Sequence, residues 1–261
     1  MKKDMVFPDR EFLRFLPRVL RARDFRLYLE GGKRLVDLWL QGGRAVLGHK
    51  PPMVLREMKN AAERGLFTAF PHPAEGRFLK ALGEVFPHHS FRLYLDSGSL
   101  HRALEKAGRH EELTIWRPFT EQADELTLVS LPVLPWPLGP ELLVLDKSLD
   151  TGFPAGDLIP PVLLAPATRA LYNLIAAMKA PPHQRYRKIE KAIINSRWQR
   201  NGIYLKIKMD LDMDGYKALF LHFLENGFLI PPSSAEPLIL PMTMSKGEES
   251  KLAVLLSESS L

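Results

Sequence analysis

Hydrophobic and polar positions along the chain predict a mixture of helices and strands. Apolar residues at helical spacing predict amphipathic helices over 9–23, interrupted by Pro17, and over 53–66. Residues 26–40 alternate as two strands around the turn dipeptide Gly31-Gly32, which is typical of a hairpin. The same patterns predict further strands over 91–95, 126–133, 142–145, 202–209 and 228–230, and further helices over 74–82, 100–109, from 168 onward, around 189–193, over 216–224 and from about 246.

Composition narrows the class of protein. The 261 residues are 46% hydrophobic and 25% charged, which is typical of a soluble globular protein of one large or two small domains. No run of 18 apolar residues is present, so no membrane span and a cytoplasmic location are predicted. The absence of cysteine excludes disulfides, a thiolate nucleophile and cysteine-ligated metals. A formal charge of +6 is mild and does not by itself indicate nucleic acid.

The first candidate for chemistry is Lys147. It follows the apolar run at 142–145, which has the length of a buried strand, and it precedes a Gly-Phe-Pro-Ala-Gly turn that ends at Gly156. An amine at the end of an apolar strand is placed for nucleophilic attack on a carbonyl group, as in Schiff-base formation. The alternative is a strand that ends in an exposed lysine before an ordinary turn.

The second candidate is the Ser97-Gly98-Ser99 sequence between a predicted strand and a predicted helix. Backbone N–H groups and hydroxyls at a helix N-terminus form a physically reasonable anion site. The alternative is an ordinary N-cap, since serine is favoured at that position whether or not a ligand is bound.

Taken in order, these segments resemble class III aminotransferases, the pyridoxal-phosphate group that includes glutamate-1-semialdehyde aminomutase. The cofactor-lysine segment of that family is matched without a gap by Pro140, Glu141, Leu142, Lys147, Leu149, Gly152, Pro154 and Gly156. The family's opening and C-terminal patterns are matched by Gly31, Asp37, Gly48, His49, Pro52, Val54, Leu224, Gly227, Pro232, Ser233 and Glu236. Asp146, Asp150 and Thr151 stand where the family has glycine.

The resemblance implies an α/β, reduced PLP-dependent transferase-like fold with a shortened large domain and a small α+β domain. Residues 1–66 would begin the small domain, 67–180 would form the large domain and 181–261 would complete the small domain. It also implies a homodimer and pyridoxal phosphate, with Lys147 as the Schiff-base residue and Ser97, Gly98, Ser99 and Thr168 at the phosphate. The substrate would be a small amino acid or amine.

The interval before the lysine departs from the family pattern. Only residues 110–139 separate the Ser-Gly-Ser helix from the lysine segment, and this interval lacks the family's ring-stacking motif. The family's Asp-Glu-aliphatic motif, whose aspartate holds the pyridine nitrogen, is absent from its expected place, and nothing downstream of Asp124-Glu125 matches the family. Trp116, Phe119 or Trp136 would have to replace the stacking residue. The alternative is therefore a degenerate, non-catalytic homologue that acts as a binding or scaffold protein.

Two further motifs have plainer explanations than the functions they suggest. Residues 185–208 are basic and contain Tyr186, Trp198 and Tyr204, a pattern that nucleic-acid-binding proteins use, but a helix followed by a strand is favoured. The acidic run that begins at Asp210 imitates a calcium loop, yet its twelfth position is Leu221 rather than a glutamate, so no metal is predicted.

Overall fold

The computed structural model describes residues 10–108, 113–121, 128–180, 186–194 and 196–258. The helices are α1 (Arg10–Leu13), α2 (Val54–Glu63), α3 (Pro73–Val85), α4 (Ser97–Ala107), α5 (Pro161–Lys179), α6 (Arg187–Ile193), α7 (Met213–Glu225) and α8 (Lys246–Glu258). The strands are β1 (Val19–Arg23), β2 (Arg26–Leu29), β3 (Arg34–Asp37), β4 (His89–Tyr94), β5 (Leu113–Trp116), β6 (Val129–Pro132), β7 (Glu141–Asp146), β8 (Trp198–Asn201), β9 (Tyr204–Ile207), β10 (Phe228–Leu229) and β11 (Leu238–Ile239).

The chain divides into two compact units. The first combines residues 1–50, 119–122 and 182–261, and the second combines 51–118 and 123–181. The predicted domain boundaries after residues 66 and 180 stay a prediction.

Among its described residues, the first unit contains two small sheets, one large core cluster and a smaller cluster that includes Leu40 and Tyr204. One sheet has the order β1-β2-β3-β10, with β10 parallel to β3 and the other pairs antiparallel. The other sheet has the order β11-β9-β8 and is antiparallel throughout. The core is rich in large side chains that are almost completely buried, among them Trp198, Phe220, Phe223, Phe228, Leu252 and Leu256.

The N-terminal segment corrects one prediction and confirms another. The helix predicted over 9–23 is wrong beyond Leu13, because α1 ends there and β1 pairs with β2 instead. Pro17 has no N–H group and stops the helix, so the apolar residues that follow lie on a sheet-edge strand, where Leu20 is 70% exposed. The hairpin predicted over 26–40 is confirmed by the antiparallel pairing of β2 with β3, and Gly31 has the φ of +79° that the turn requires.

The second unit is built on a four-stranded sheet of order β4-β7-β6-β5. Only β5 and β6 are parallel, and β7 is antiparallel to both of its neighbours. Helix α4 packs on one face through Leu100 and Leu104, which contact the same cluster as Leu143 and Leu145. Helix α5 packs against α2 and α3.

Among the described residues, α5 is the one helix long and apolar enough to cross a membrane by length and composition. A helix in the core of a domain passes the same test, and eight residues of α5 are buried in this fold. The prediction that the chain makes no membrane contact stays a prediction.

Candidate functional site

Lys147 lies at the exposed end of a buried strand. Residues 142–145 are almost fully buried in β7, whereas Lys147 is exposed and begins a short 3₁₀ turn over Lys147–Leu149. The Asp146 carboxylate caps this turn by accepting hydrogen bonds from the backbone N–H and hydroxyl of Ser148, at 2.9 and 2.6 Å. These hydrogen bonds lower the pKa of Asp146. The aspartate that replaces a family glycine therefore has a local role as a cap.

The N-terminus of α4 already holds a carboxylate from the protein itself. Asp96 is the N-cap residue, and its Oδ1 accepts a hydrogen bond from the Ser99 N–H at 2.8 Å. The Ser99 hydroxyl in turn accepts a hydrogen bond from Arg102 Nη2 at 2.9 Å. A phosphate at this helix end would therefore meet the negative charge of Asp96, which competes for the same N–H groups.

The direction of strand pairing separates the two candidate segments. Strands β4 and β7 are antiparallel, with His89 opposite Asp146 and Tyr94 opposite Glu141. Lys147 therefore leaves the sheet beside the start of β4, whereas Ser97 follows the end of β4. At about 3.4 Å per residue, the length of β4 alone places them about 17 Å apart, which exceeds the reach of a lysine side chain.

Thr168 also lies away from a helix terminus. It occupies the middle of α5, where its hydroxyl donates a hydrogen bond to the Leu164 carbonyl at 2.7 Å. This back-bonding within the helix uses the hydroxyl proton locally. Of the four residues predicted at the phosphate, three therefore lie at the N-terminus of α4 and the fourth, Thr168, lies inside α5.

The turn that follows Lys147 packs along the free edge of β4, and we call residues 150–157 the edge segment. Arg92, on β4, donates from Nη2 to an Asp150 carboxylate oxygen at 2.8 Å and from Nε to the Pro154 carbonyl at 3.1 Å. The Asp157 N–H donates to the Leu93 carbonyl at 2.7 Å. The bond from Arg92 lowers the pKa of Asp150. No signal in the sequence indicated Arg92, because its partners lie about 60 positions further along the chain.

Gly156 is required by this packing rather than by a ligand. A Cβ atom at this position would lie 2.5 Å from the Leu93 carbonyl oxygen and 2.8 Å from the Leu93 nitrogen, both backbone atoms. Gly156 is one of the residues by which the lysine segment resembles that of class III aminotransferases. In this structure, the missing side chain at Gly156 allows the edge segment to approach the backbone of β4 closely.

In the first unit, a buried carboxylate organises a strained turn. Asp37 is 2% exposed, and its Oδ1 accepts hydrogen bonds from the N–H groups of Trp39 and Leu40, both at 2.9 Å. His49 Nε2 lies within hydrogen-bond distance of the other carboxylate oxygen, at 2.9 Å. Leu40 and Gln41 have left-handed φ angles of 46° and 52°. These contacts give His49 a structural role in holding the turn.

The aromatic residues of the basic segment do not face solvent. Tyr186, Trp198 and Tyr204 are 3%, 1% and 4% exposed, and the Tyr186 hydroxyl donates a hydrogen bond to the Pro241 carbonyl. Arg200 is paired with Glu190 at 3.1 Å. Bases therefore have no exposed ring from this group on which to stack. Among the described residues, no group of three or more acidic or histidine side chains is arranged to hold a metal ion.

The fold has clear structural relatives. The chain superposes on ornithine δ-aminotransferase of Plasmodium falciparum with a TM-score of 0.70 and 12% identity, covering 93% of this chain and 92% of that one. Acetylornithine aminotransferase of Elizabethkingia anophelis gives a TM-score of 0.67 at 11% identity, covering 98% and 99%. The chain has an aminotransferase-like fold. At these identities the likeness establishes the fold alone, and at that level the predicted resemblance to class III aminotransferases is confirmed.

Sequence comparison adds little about activity. An uncharacterized protein of Treponema pallidum is 27% identical, covering 88% of this chain and 91% of its own length. Glutamate-1-semialdehyde 2,1-aminomutase of Syntrophus aciditrophicus is 31% identical over 85 residues, covering 32% of this chain and 20% of the enzyme. No protein-family model matches the chain.

The aminotransferase-like fold raises the question of whether the predicted residues fit pyridoxal phosphate. A single cofactor would have to reach from the amine of Lys147 to the serine-lined start of α4, and the antiparallel pairing of β4 with β7 holds these at opposite ends of a six-residue strand. The lysine side chain and the cofactor together would have to lie extended along the whole of β4, about 17 Å, to a helix start that the Asp96 carboxylate already caps. The residues therefore do not fit the cofactor in the arrangement that the resemblance implies.

Proposed function

We propose that this chain is a shortened, degenerate relative of class III aminotransferases that serves as a binding or scaffold protein without Schiff-base chemistry at Lys147. The observation that carries the proposal is the antiparallel pairing of β4 with β7, because it separates the lysine from the predicted phosphate site. The exposure of Lys147 and the carboxylate of Asp96 at the start of α4 also support it.

The test is reaction with pyridoxal phosphate. Exposed lysines form weak adducts with the free aldehyde, so the experiment compares wild type with Lys147→Ala and with Lys80→Ala, which removes another exposed lysine of the same unit. We expect equally weak near-visible absorbance from all three proteins, with borohydride-fixed label spread over several lysines. A stoichiometric band that borohydride fixes, and that Lys147→Ala alone abolishes, would overturn the proposal.

That outcome would favour the other candidate function. In it, Lys147 forms the Schiff base, Ser97, Gly98, Ser99 and Thr168 hold the phosphate, and the protein acts on small amino acids or amines. This arrangement requires a rearrangement of the second unit that brings the two ends of β4 and β7 to one ligand. A crystal structure grown with the cofactor would distinguish the two candidates directly.

The proposal includes self-association as a homodimer. Large apolar side chains on the second unit support it, since Phe67 and Phe70 are 60% and 59% exposed in one short loop. Light scattering coupled to size exclusion should give twice the chain mass of 29.7 kDa. Phe67→Ser together with Phe70→Ser should reduce the dimer fraction if this loop lies in the interface. A nucleic-acid partner is less favoured, because the rings of the basic segment are buried.

A further inference from the structure

An open pocket of ≈ 390 Å³ lies in the second unit, where α3, β4 and the edge segment meet. Its size is within the range of small-molecule sites in proteins. Its lining comes from α3 (Glu75, Leu79), from β4 (Phe91, Arg92, Leu93) and from the stretch Phe153, Ala155, Gly156, Asp157 and Leu158.

The walls of this pocket combine apolar and polar surface in similar amounts. Leu93 and Phe153 are 4% and 8% exposed, and Phe91 and Leu79 are partly exposed beside them. Leu158 is 47% exposed at the rim of the same pocket. A ligand with a hydrocarbon or aromatic body would bury this surface.

The pocket lining contains two acidic side chains and one basic side chain. The Arg92 guanidinium already donates to the Asp150 carboxylate and to three backbone carbonyls, so its donors are used within the protein. Asp157 uses one carboxylate oxygen to accept from the Leu95 N–H at 3.0 Å. Within the part of the chain that the structure describes, the Glu75 carboxylate makes no hydrogen bond or ion pair. The pocket therefore presents one uncommitted carboxylate, that of Glu75, beside apolar side chains such as Phe91 and Leu79.

We propose that this pocket binds a small organic cation, an ammonium group attached to an apolar body. The ammonium group would pair with Glu75, assisted by the free oxygen of Asp157, because a charge-assisted hydrogen bond is about twice as strong as one between neutral groups. The apolar body would cover Phe91 and Phe153. This inference does not depend on whether Lys147 reacts with an aldehyde, because neither Lys147 nor any of the residues predicted at the phosphate lines this pocket.

The experiment is a calorimetric titration of the intact chain with phenethylammonium, and with 2-phenylethanol as the neutral analogue of similar shape. Wild type should bind the ammonium saturably, with at least about tenfold higher affinity than the alcohol. Glu75→Gln should remove that preference and weaken ammonium binding about tenfold. Glu84→Gln, on the exposed surface of the same helix, is the matched control and should bind as wild type does.

A second variant keeps the test independent of α3. Leu158→Lys places a competing ammonium group at an exposed rim position, so the fold should be kept and binding should fall at least tenfold. The proposal is overturned if wild type shows no saturable binding up to the solubility of the probe. It is also overturned if the alcohol binds as well as the ammonium, or if Glu75→Gln and Glu84→Gln bind alike.

Discussion

Replacing Gly156 with alanine tests whether the edge segment packs on β4 as described. The new Cβ would lie 2.5 Å from the Leu93 carbonyl oxygen, so one of the two backbones must move by about 1 Å to reach ordinary van der Waals contact. That movement also weakens the 2.7 Å hydrogen bond from the Asp157 N–H to the same oxygen. Overpacking costs about 1–3 kcal/mol and a lost backbone hydrogen bond about 0.5–1.5 kcal/mol.

The expected loss in free energy of unfolding is therefore about 2–4 kcal/mol, or a midpoint lowered by roughly 5–15 °C. Gly152→Ala is the matched control, since its Cβ would meet nothing closer than the Leu149 carbonyl oxygen at 4.0 Å. Neither glycine has a left-handed φ, so backbone strain cannot separate the two variants. The control should be neutral or more stable by about 0.4–1 kcal/mol, because alanine restricts the unfolded chain.

Thermal unfolding followed by circular dichroism measures both variants against wild type. Hydrogen exchange provides a local check, because the Asp157 amide should be protected in wild type and in Gly152→Ala but exchange faster in Gly156→Ala. Equal midpoints for the two alanine variants would show that the edge segment does not approach β4 closely, and the structural explanation of the lysine-segment glycine would be wrong.

Three further predictions concern other parts of the fold. Burial alone raises the pKa of Glu248, but hydrogen bonds from Arg26 and Ser245 prevail and lower it from 4.5 to about 2. The stabilisation by the ionised Glu248 carboxylate is therefore complete above pH 4.5 and is lost as the pH falls toward 2. Allowing for solvent screening, Glu248→Gln should lower the free energy of unfolding by about 1–2 kcal/mol at pH 7 and by little at pH 2, as measured by urea unfolding curves. Gly202→Ala should destabilise the protein more than Gly156→Ala, because the new Cβ would lie 1.9 Å from the Phe119 carbonyl oxygen and Gly202 has a left-handed φ of +62°. A thermal unfolding midpoint within 2 °C of wild type, roughly 0.5 kcal/mol, would contradict that contact. Asp96→Ala should remove the cap of α4 and cost about 1 kcal/mol, whereas Asp96→Asn should retain most of the stability, as measured by thermal unfolding.

Much of the local structure could be predicted from the sequence. The apolar run at 142–145 became the buried strand β7, and the Gly31-Gly32 dipeptide lies at the turn between β2 and β3. The predicted capping at Ser97-Gly98-Ser99 does begin α4, although the side chain that caps is that of Asp96. These features are local, because periodicity, turn residues and caps act over a few neighbouring residues.

The sequence by itself determined many of the helices and strands, such as β7 and α4, and its resemblance to class III aminotransferases indicated an aminotransferase-like fold. Only the tertiary structure decided that β7 runs antiparallel to β4, which holds Lys147 and the start of α4 at opposite ends. It also decided that Arg92 bonds residues 58 and 62 positions away and that the rings of the basic segment are buried. The physical reason is that strand direction and burial depend on contacts between distant residues, which no local pattern encodes.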